Sequence, residues 1–316
     1  MSPRALASPA SLKGSLSAAE AAQALGEGFA AAGVDADAMP IADGGEGTVD
    51  ALCSDFEQVE TVDAFGRPRI ARTGVLPDGT RVVEAAEAIP LDPSRLDVTA
   101  ASSRGLGLWL GRYRDSPLVV TVGGTATMDA GAGLLEVLDC LAGPVRVLCD
   151  VRTTLYDAPR LFGPQKGATE AQVADLEARF RADERLAPFA CLPGSGAAGG
   201  LGAALAALGA ELVPGAEAVL DLAGFDPGGY DLVVTGEGAV DATTWEGKAP
   251  SAAARRCADA GIACVVFGGS VTGAVPARLR PQTELVALSG DPSRARADLA
   301  DLGEKLGRRL AVLGAA

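Results

Sequence analysis

The sequence predicts an α/β chain built on a parallel sheet. Three observations carry the prediction: short β-favouring runs, glycine- or aspartate-rich turns at their ends, and helical periodicity between them. Residues 118–122 run into Gly123-Gly124, residues 145–149 into Asp150, and residues 232–234 into Thr235-Gly-Glu-Gly238. Residues 264–267 end at Gly268-Gly269, and residues 285–288 at Ser289-Gly290. In such a sheet ligands gather at the carboxyl ends of the strands. The glycine turns are therefore the places to look for chemistry.

Taken in chain order, Ser17-Ala-Ala-Glu20 has the spacing of a capping box, in which a hydroxyl and a carboxylate satisfy free amides at a helix start. Ala22, Leu25 and Phe29 then recur at helical intervals until Gly33, which predicts a helix over roughly 16–32. The stretch from about 58 to 110 reads differently, because Gly66-Arg-Pro68 and Pro77-Asp-Gly79 are turns between short strands. A hairpin-bearing second domain is expected to begin there. Thr169 with Gln172 forms a second box, followed by Val173, Leu176 and Phe180, and a last helix carries Leu299, Leu302, Leu306, Leu310 and Leu313.

Composition narrows the function. The 316 residues suit about two domains, and 48% hydrophobic residues suffice for a packed core. A net charge of −14, from 41 acidic and 27 basic residues, repels nucleic-acid phosphates and anionic membranes, so neither is expected as a partner. There is no histidine, which removes Ser–His and Cys–His catalysis and every histidine-ligated metal site. Six cysteines lie far apart without a C-x-x-C pair, as expected of reduced, mostly buried thiols in a cytoplasm. No stretch has the pattern of a secretory leader or the length of a bilayer span, so a cytoplasmic location is expected.

Several loops can carry chemistry. Ala42-Asp-Gly-Gly-Glu-Gly-Thr48 packs two carboxylates among three glycines, a pattern that lets backbone approach a ligand while carboxylates hold Mg²⁺ or accept a proton. The alternative is an Asp-Gly turn capping the helix near Thr48. Thr235-Gly-Glu-Gly-Ala-Val-Asp241, followed by Gly247-Lys248, favours phosphate but lacks the spacing of a Walker A loop, and a solvated loop remains open. Gly123-Gly-Thr-Ala-Thr-Met-Asp-Ala-Gly131 is either an anion nest with Thr125, Thr127 and Asp129 as polar contacts or a tightly packed strand–helix turn. Phe162-Gly-Pro-Gln-Lys-Gly-Ala168 sets Lys166 just before a capped helix, where it is either a charge partner for an anion or solvated. Asp150 at a strand end is a base, a metal ligand or a helix cap. Gly194-Ser-Gly-Ala-Ala-Gly199 matches G-x-G-x-x-G, but a dinucleotide fingerprint should follow a hydrophobic strand, and residues 186–193 contain two prolines. A loop facing phosphate or substrate, or plain helix-start geometry, fits it better. This inventory of carboxylates, lysines and glycine amides suits phosphoryl transfer from a Mg–nucleotide to a small polar acceptor.

The order of these loops resembles the bacterial class I glycerate kinase family along nearly the whole chain. The motifs are Ser11-Leu-Lys-Gly-Ser-Leu-Ser17, the 42–48 loop, Gly123-Gly-Thr-Ala-Thr-Met-Asp129, Cys149-Asp-Val151, the 162–168 loop, Pro193-Gly-Ser-Gly-Ala-Ala-Gly-Gly-Leu-Gly202, and Thr235-Gly-Glu-Gly238 with Asp241 and Lys248. The resemblance implies ATP- and Mg²⁺-dependent phosphorylation of D-glycerate, usually to 2-phosphoglycerate. It also implies a Rossmann-like parallel-sheet domain, built from residues 1–57 and 226–316, interrupted by a second α/β domain over 58–225. Within it Asp43 and Asp150 are expected as metal-holding or base carboxylates, and Lys13 and Lys166 as charge partners for the acid and the moving phosphoryl group. Ser11, Gly44, Gly45, Glu46, Gly123, Gly124, Thr125, Thr127, Asp129, Gly196, Gly199, Gly200, Glu237, Asp241 and Lys248 are expected to contact substrate or nucleotide. A small hydroxy acid is the expected partner, with a homodimer left open.

The chain departs from the family pattern at several points. The aspartate of Pro-Asp-Ser-Phe-Lys-Gly is Ala10, the asparagine before Asp129 is Met128, and the arginine after Gly-Glu-Gly is Ala239. Polar groups expected near ligands are thus absent, which keeps a second reading open. That reading is a degenerate homologue that binds a nucleotide or hydroxy acid in a regulatory role.

Overall fold

A computed structural model describes residues 3–314. Its first elements are β1 (Arg4–Ala7), α1 (Ala18–Ala31), β2 (Asp35–Ala38), α2 (Thr48–Leu52), β3 (Asp55–Val62), β4 (Pro68–Val75), β5 (Arg81–Glu84), α3 (Ala85–Ala88), α4 (Arg104–Gly111), β6 (Leu118–Thr121), α5 (Ala132–Leu135) and β7 (Val145–Cys149). They continue as α6 (Ala158–Phe162), α7 (Glu170–Ala182), α8 (Ala197–Ala207), β8 (Glu211–Pro214), α9 (Gly215–Leu222), β9 (Leu232–Val240), α10 (Ala249–Ala260), β10 (Ala263–Val271), β11 (Thr283–Ala287) and α11 (Ala295–Gly314).

Contacts divide the chain into two units, one formed by the described residues up to Asp43 together with those from Val219 onward, the other running from Gly44 to Ala218. The boundaries expected at 57/58 and 225/226 therefore fall at 43/44 and 218/219. On the first side, Glu84 at the end of β5 accepts hydrogen bonds from the N–H groups of Gly47 (2.9 Å) and Val49 (3.2 Å), which ties α2 to the second unit's sheet. On the other side, Arg256 of α10 pairs with Asp221 at 2.7 Å and holds the end of α9 in the first unit.

The first unit is a five-stranded sheet in the order β11-β10-β9-β1-β2, every pairing parallel. The sequence order reverses between β1 and β9: from β1 the chain steps outward to β2, and from β9 it steps the other way. α1 starts with the expected capping box of Ser17 and Glu20. It packs on α11 through small residues; a Cβ on Gly28 would lie 2.1 Å from Ala300 O, so only glycine allows this approach. Leu25, Phe29, Val234, Phe267, Leu299 and Leu306 form the core between the two helices and the sheet. β9 and β10 run further than their apolar stretches, remaining paired as far as Val240 and Val271. Gly236 is thus a strand residue rather than part of a turn, and its missing Cβ leaves room for Phe267 O, which would otherwise lie 2.2 Å away.

The second unit holds a six-stranded sheet in the order β3-β4-β5-β6-β7-β8. β3, β4 and β5 are antiparallel, joined by the turns read at 66–68 and 77–79, whereas β5 to β8 are parallel. Trp109 is fully buried on this sheet, its indole N–H donating to Thr73 Oγ1 at 2.8 Å. α7 carries the predicted Thr169–Gln172 box. A second apolar cluster, including Met128, Leu155, Leu176 and Phe180, sits under α6, α7 and α8.

Candidate active site

Each unit gathers part of the expected chemistry at the carboxyl ends of its parallel strands. In the first unit the loop after β1 is fastened to β9, since Ser8 N–H donates to Val234 O at 2.7 Å and Ala10 N–H to Gly236 O at 2.8 Å. Ser11 is half-buried on this loop and Lys13 is exposed. Ser8 and Thr235, one residue beyond the paired Ala7 and Val234, bury hydroxyls that find no partner among the described residues. Unpartnered buried hydroxyls of this kind are uncommon, and functional sites are one place they occur.

Glu237, on the extended end of β9, accepts from Thr244 Oγ1 at 2.7 Å and pairs with Lys248 at 3.4 Å. Burial pushes its carboxyl above the usual range, and the negative charge of Asp43 pushes it further, so these two acids stand within electrostatic reach. Asp241 is spent locally: its Oδ1 accepts from Thr243 N–H, Thr243 Oγ1 and Thr244 N–H at 2.8, 2.6 and 3.3 Å. The Thr243 hydroxyl and these amides hold the Asp241 carboxyl below its ordinary value.

In the second unit the loops after β6 and β7 meet the glycines at 44–46. A Cβ on Gly123 would lie 2.8 Å from Gly45 Cα and 3.1 Å from Asp150 Oδ2, and one on Gly124 would lie 3.8 Å from Glu46 Oε2. Gly44, with φ +89°, backs onto Leu148 and Gly215. Gly123, Gly124, Gly45, Glu46 and Asp150 are thus brought together.

Lys166 is only 4% exposed, and its ammonium donates to Thr127 O at 2.9 Å. Burial pulls its pKa down to about 8 against the opposing pull of Asp129 and Asp150, so it is a desolvated cation facing two acids. Thr127 and its near neighbour Thr125 bury hydroxyls without a partner among the described residues.

Other expected contacts answer first to the fold. Asp129 accepts from Ser103 N–H and Oγ at 2.8 Å each, and from Gly131 and Gly133 N–H at 3.1 Å each. Gly196 N–H donates to Thr153 O at 2.9 Å and Gly200 N–H to Gly196 O at 3.3 Å, so these amides are already engaged. Gly199, at φ +70°, lies where a Cβ would meet Thr127 O at 2.1 Å. The segment before this loop is a 3-10 turn over Ala187–Phe189, not a strand, which removes the dinucleotide fingerprint.

The departures fall in different places. Met128 is fully buried in the apolar cluster with Leu155 and Phe180, so its side chain is core rather than a ligand contact. Ala10 is half-buried on the loop after β1, and Ala239 is exposed. Two residues that sequence reasoning passed over matter here. Glu84 orders the 44–49 loop, and Ser195 accepts from Leu155 N–H (2.9 Å) while donating to Ala190 O (2.8 Å). The signal for Glu84 was a lone acid closing an apolar strand; Ser195 had none.

Among the described residues no three or more histidine, cysteine, aspartate or glutamate side chains are grouped to hold a metal. No helix among them is long and apolar enough to cross a membrane.

The sequence profile of the glycerate kinase family matches residues 5–142 and 142–311. The chain is 34% identical to the glycerate 2-kinase of Escherichia coli K12 over 302 residues, covering 77% of this chain and 78% of that one. It is also 34% identical to the glycerate kinase of Bacillus subtilis 168 over 324 residues, covering 84% of each. A crystal structure from Salmonella typhimurium LT2, provisionally named glycerate kinase 2, superposes over 100% of both chains with a TM-score of 0.81 at 27% identity.

Proposed function

The chain belongs to the glycerate kinase family, and on that premise we propose that it transfers the γ-phosphoryl group of Mg–ATP to D-glycerate, giving 2-phosphoglycerate. The observation that carries this reading is the second unit's cluster: a buried, cationic Lys166 under the electrostatic pull of Asp129 and Asp150, at the ends of parallel strands. A desolvated cation suits a small carboxylate substrate, because its attraction is little screened there. Asp150 beside the Gly123 backbone is exposed, so it can accept the acceptor hydroxyl's proton as that oxygen attacks phosphorus. The bond to the bridging oxygen breaks as the new one forms, and ADP leaves.

In the first unit, Lys13 and Lys248 supply positive charge for phosphates, and Asp43 with Glu237 supplies hard oxygen donors within electrostatic reach of each other. Magnesium commonly takes one or two carboxylates and completes its shell with phosphate oxygens and water, so these acids would be enough to hold it. When bound, that ion would neutralise charge developing on the transferred group.

Coupled ADP release by the purified chain with Mg–ATP tests the proposal, comparing D-glycerate with no acceptor and a panel of other hydroxy acids. Release that depends on D-glycerate is expected, with Asp150→Asn slowed by about 10²-fold or more. Nucleotide binding without turnover on any acid would instead favour the regulatory homologue, the reading motivated by Ala10, Met128 and Ala239, of which Met128 is a core side chain.

A further inference from the structure

The first unit contains a cavity of about 160 Å³ at the carboxyl end of its sheet, framed by the loops that follow β1 and β11, the extended ends of β9 and β10, and the start of α11. We propose that this cavity seats the base of a purine nucleoside triphosphate, with Lys13 at its mouth directing the phosphates. The assignment rests on the kinase reading above and names where in the fold the nucleotide is held.

Three features point to this ligand. The first is position: the cavity lies on the β9–β11 side of the point where strand order reverses between β1 and β9, where open parallel sheets characteristically bind ligands. The second is shape. Leu12, Leu288, Pro292 and Ala295 give apolar walls, while Gly238 and Gly269 present bare backbone. A Cβ on Gly269 would lie 2.7 Å from Gly238 O, so the wall stays bare at Gly269 only because that residue is glycine. A planar ring can lie against such a surface. Whole drug-sized ligands occupy roughly 300 Å³ or more. The smaller volume here therefore suits one ring system, with the rest of the molecule projecting outward.

The third feature is charge. The rim carries Asp291 and Asp298, fixed in place by Ser293 and Ser289, whose hydroxyls donate to Asp291 Oδ1 at 2.7 Å and Asp298 Oδ2 at 2.5 Å. Arg294 pairs with Asp298 at 3.4 Å and also attracts Asp291. Two carboxylates repel a small acid such as glycerate, but they accept hydrogen bonds from an exocyclic amino group or ribose hydroxyls. Lys13, on the loop after β1, is the lining residue of opposite sign.

Calorimetric binding of Mg–AMPPNP, with inorganic tripolyphosphate as the probe for the phosphate end alone, tests the assignment. Leu288→Trp fills the cavity, and Ser270→Trp, at an exposed lining position, obstructs it without touching the core. The expected result is a Kd for Mg–AMPPNP raised at least tenfold in each folded variant, with the Kd for tripolyphosphate unchanged. An unchanged Mg–AMPPNP Kd in folded Ser270→Trp would overturn the assignment and leave the kinase reading standing. Failure of the unmodified chain to bind Mg–AMPPNP would overturn both.

Discussion

Lys166 and Lys248 each stand beside a glycine turn near the carboxyl end of a sheet, yet the two units treat them differently. Lys248 is about one-third exposed and shares its charge with Glu237 at 3.4 Å. Lys166 is almost wholly buried and hydrogen-bonded to a backbone carbonyl, and burial lowers its pKa to about 8 against the opposing pull of two nearby acids. A screened ion pair contributes little on its own. A desolvated cation interacts strongly with any anion brought beside it, and it changes charge near physiological pH. The first unit therefore provides charge that adapts, the second charge that is poised.

The largest expected effect breaks this contrast at its buried end. Lys166→Met keeps the length of the side chain and removes the charge; kcat/KM for D-glycerate should fall by about 10²–10³-fold, the scale on which a preorganised electrostatic group acts. The thermal midpoint should hold or rise, because an unfavourably desolvated charge is gone. A lost midpoint with proportionate loss of activity would make Lys166 a structural residue.

Next is Glu84, whose two oxygens serve the amides of Gly47 and Val49. Glu84→Gln leaves one of them facing an N–H group, and urea unfolding should show a loss of about 1–3 kcal/mol.

The pH dependence follows. With a Lys166 pKa of about 8, kcat/KM for the acid should decline roughly tenfold per unit above pH 8, and the decline should be absent in Lys166→Arg. Stability should move oppositely. The folded pKa lies below the ordinary lysine value of 10.5, so protonation opposes folding. The wild-type chain should therefore gain stability relative to Lys166→Met as pH rises from about 8 to 10.5, a window that paired urea titrations can resolve. The smallest effect is Lys248→Met, which should raise the KM for Mg–ATP only a few-fold, in line with a partly exposed pair worth about 0.2–1 kcal/mol.

Much of the fold was legible because its signals are local. Ser17 with Glu20 and Thr169 with Gln172 announce helix starts by hydrogen-bond chemistry confined to four residues, and both boxes form. The runs at 118–122 and 145–149 became β6 and β7, since continuous apolar stretches closed by a polar turn are what a doubly covered parallel strand requires. The extension of β9 through Gly236 was not legible, because what permits it is the distant Phe267 backbone. β2, whose residues are Asp-Ala-Asp-Ala, carries no apolar run and is held as an edge strand by pairing with β1.

The site was legible as a set of residues but not as an arrangement. Glycine loops announce close backbone approach without saying to what: at Gly123 the neighbour is Asp150, whereas at Gly199 it is the carbonyl of Thr127. Met128 looked like a missing polar contact and is a core side chain, a distinction set by packing partners more than 25 residues away in sequence, such as Leu155 and Phe180.

The central claim is that a phosphoryl group passes to the C2 hydroxyl of D-glycerate. Proton-coupled ³¹P NMR of the purified chain with Mg–ATP and D-glycerate tests it directly, since a phosphoester on a carbon bearing one hydrogen gives a doublet and one on a CH₂ gives a triplet. A doublet growing in step with ADP is the expected result. A triplet would contradict the position of transfer, and undiminished ATP with no new resonance would contradict the transfer itself.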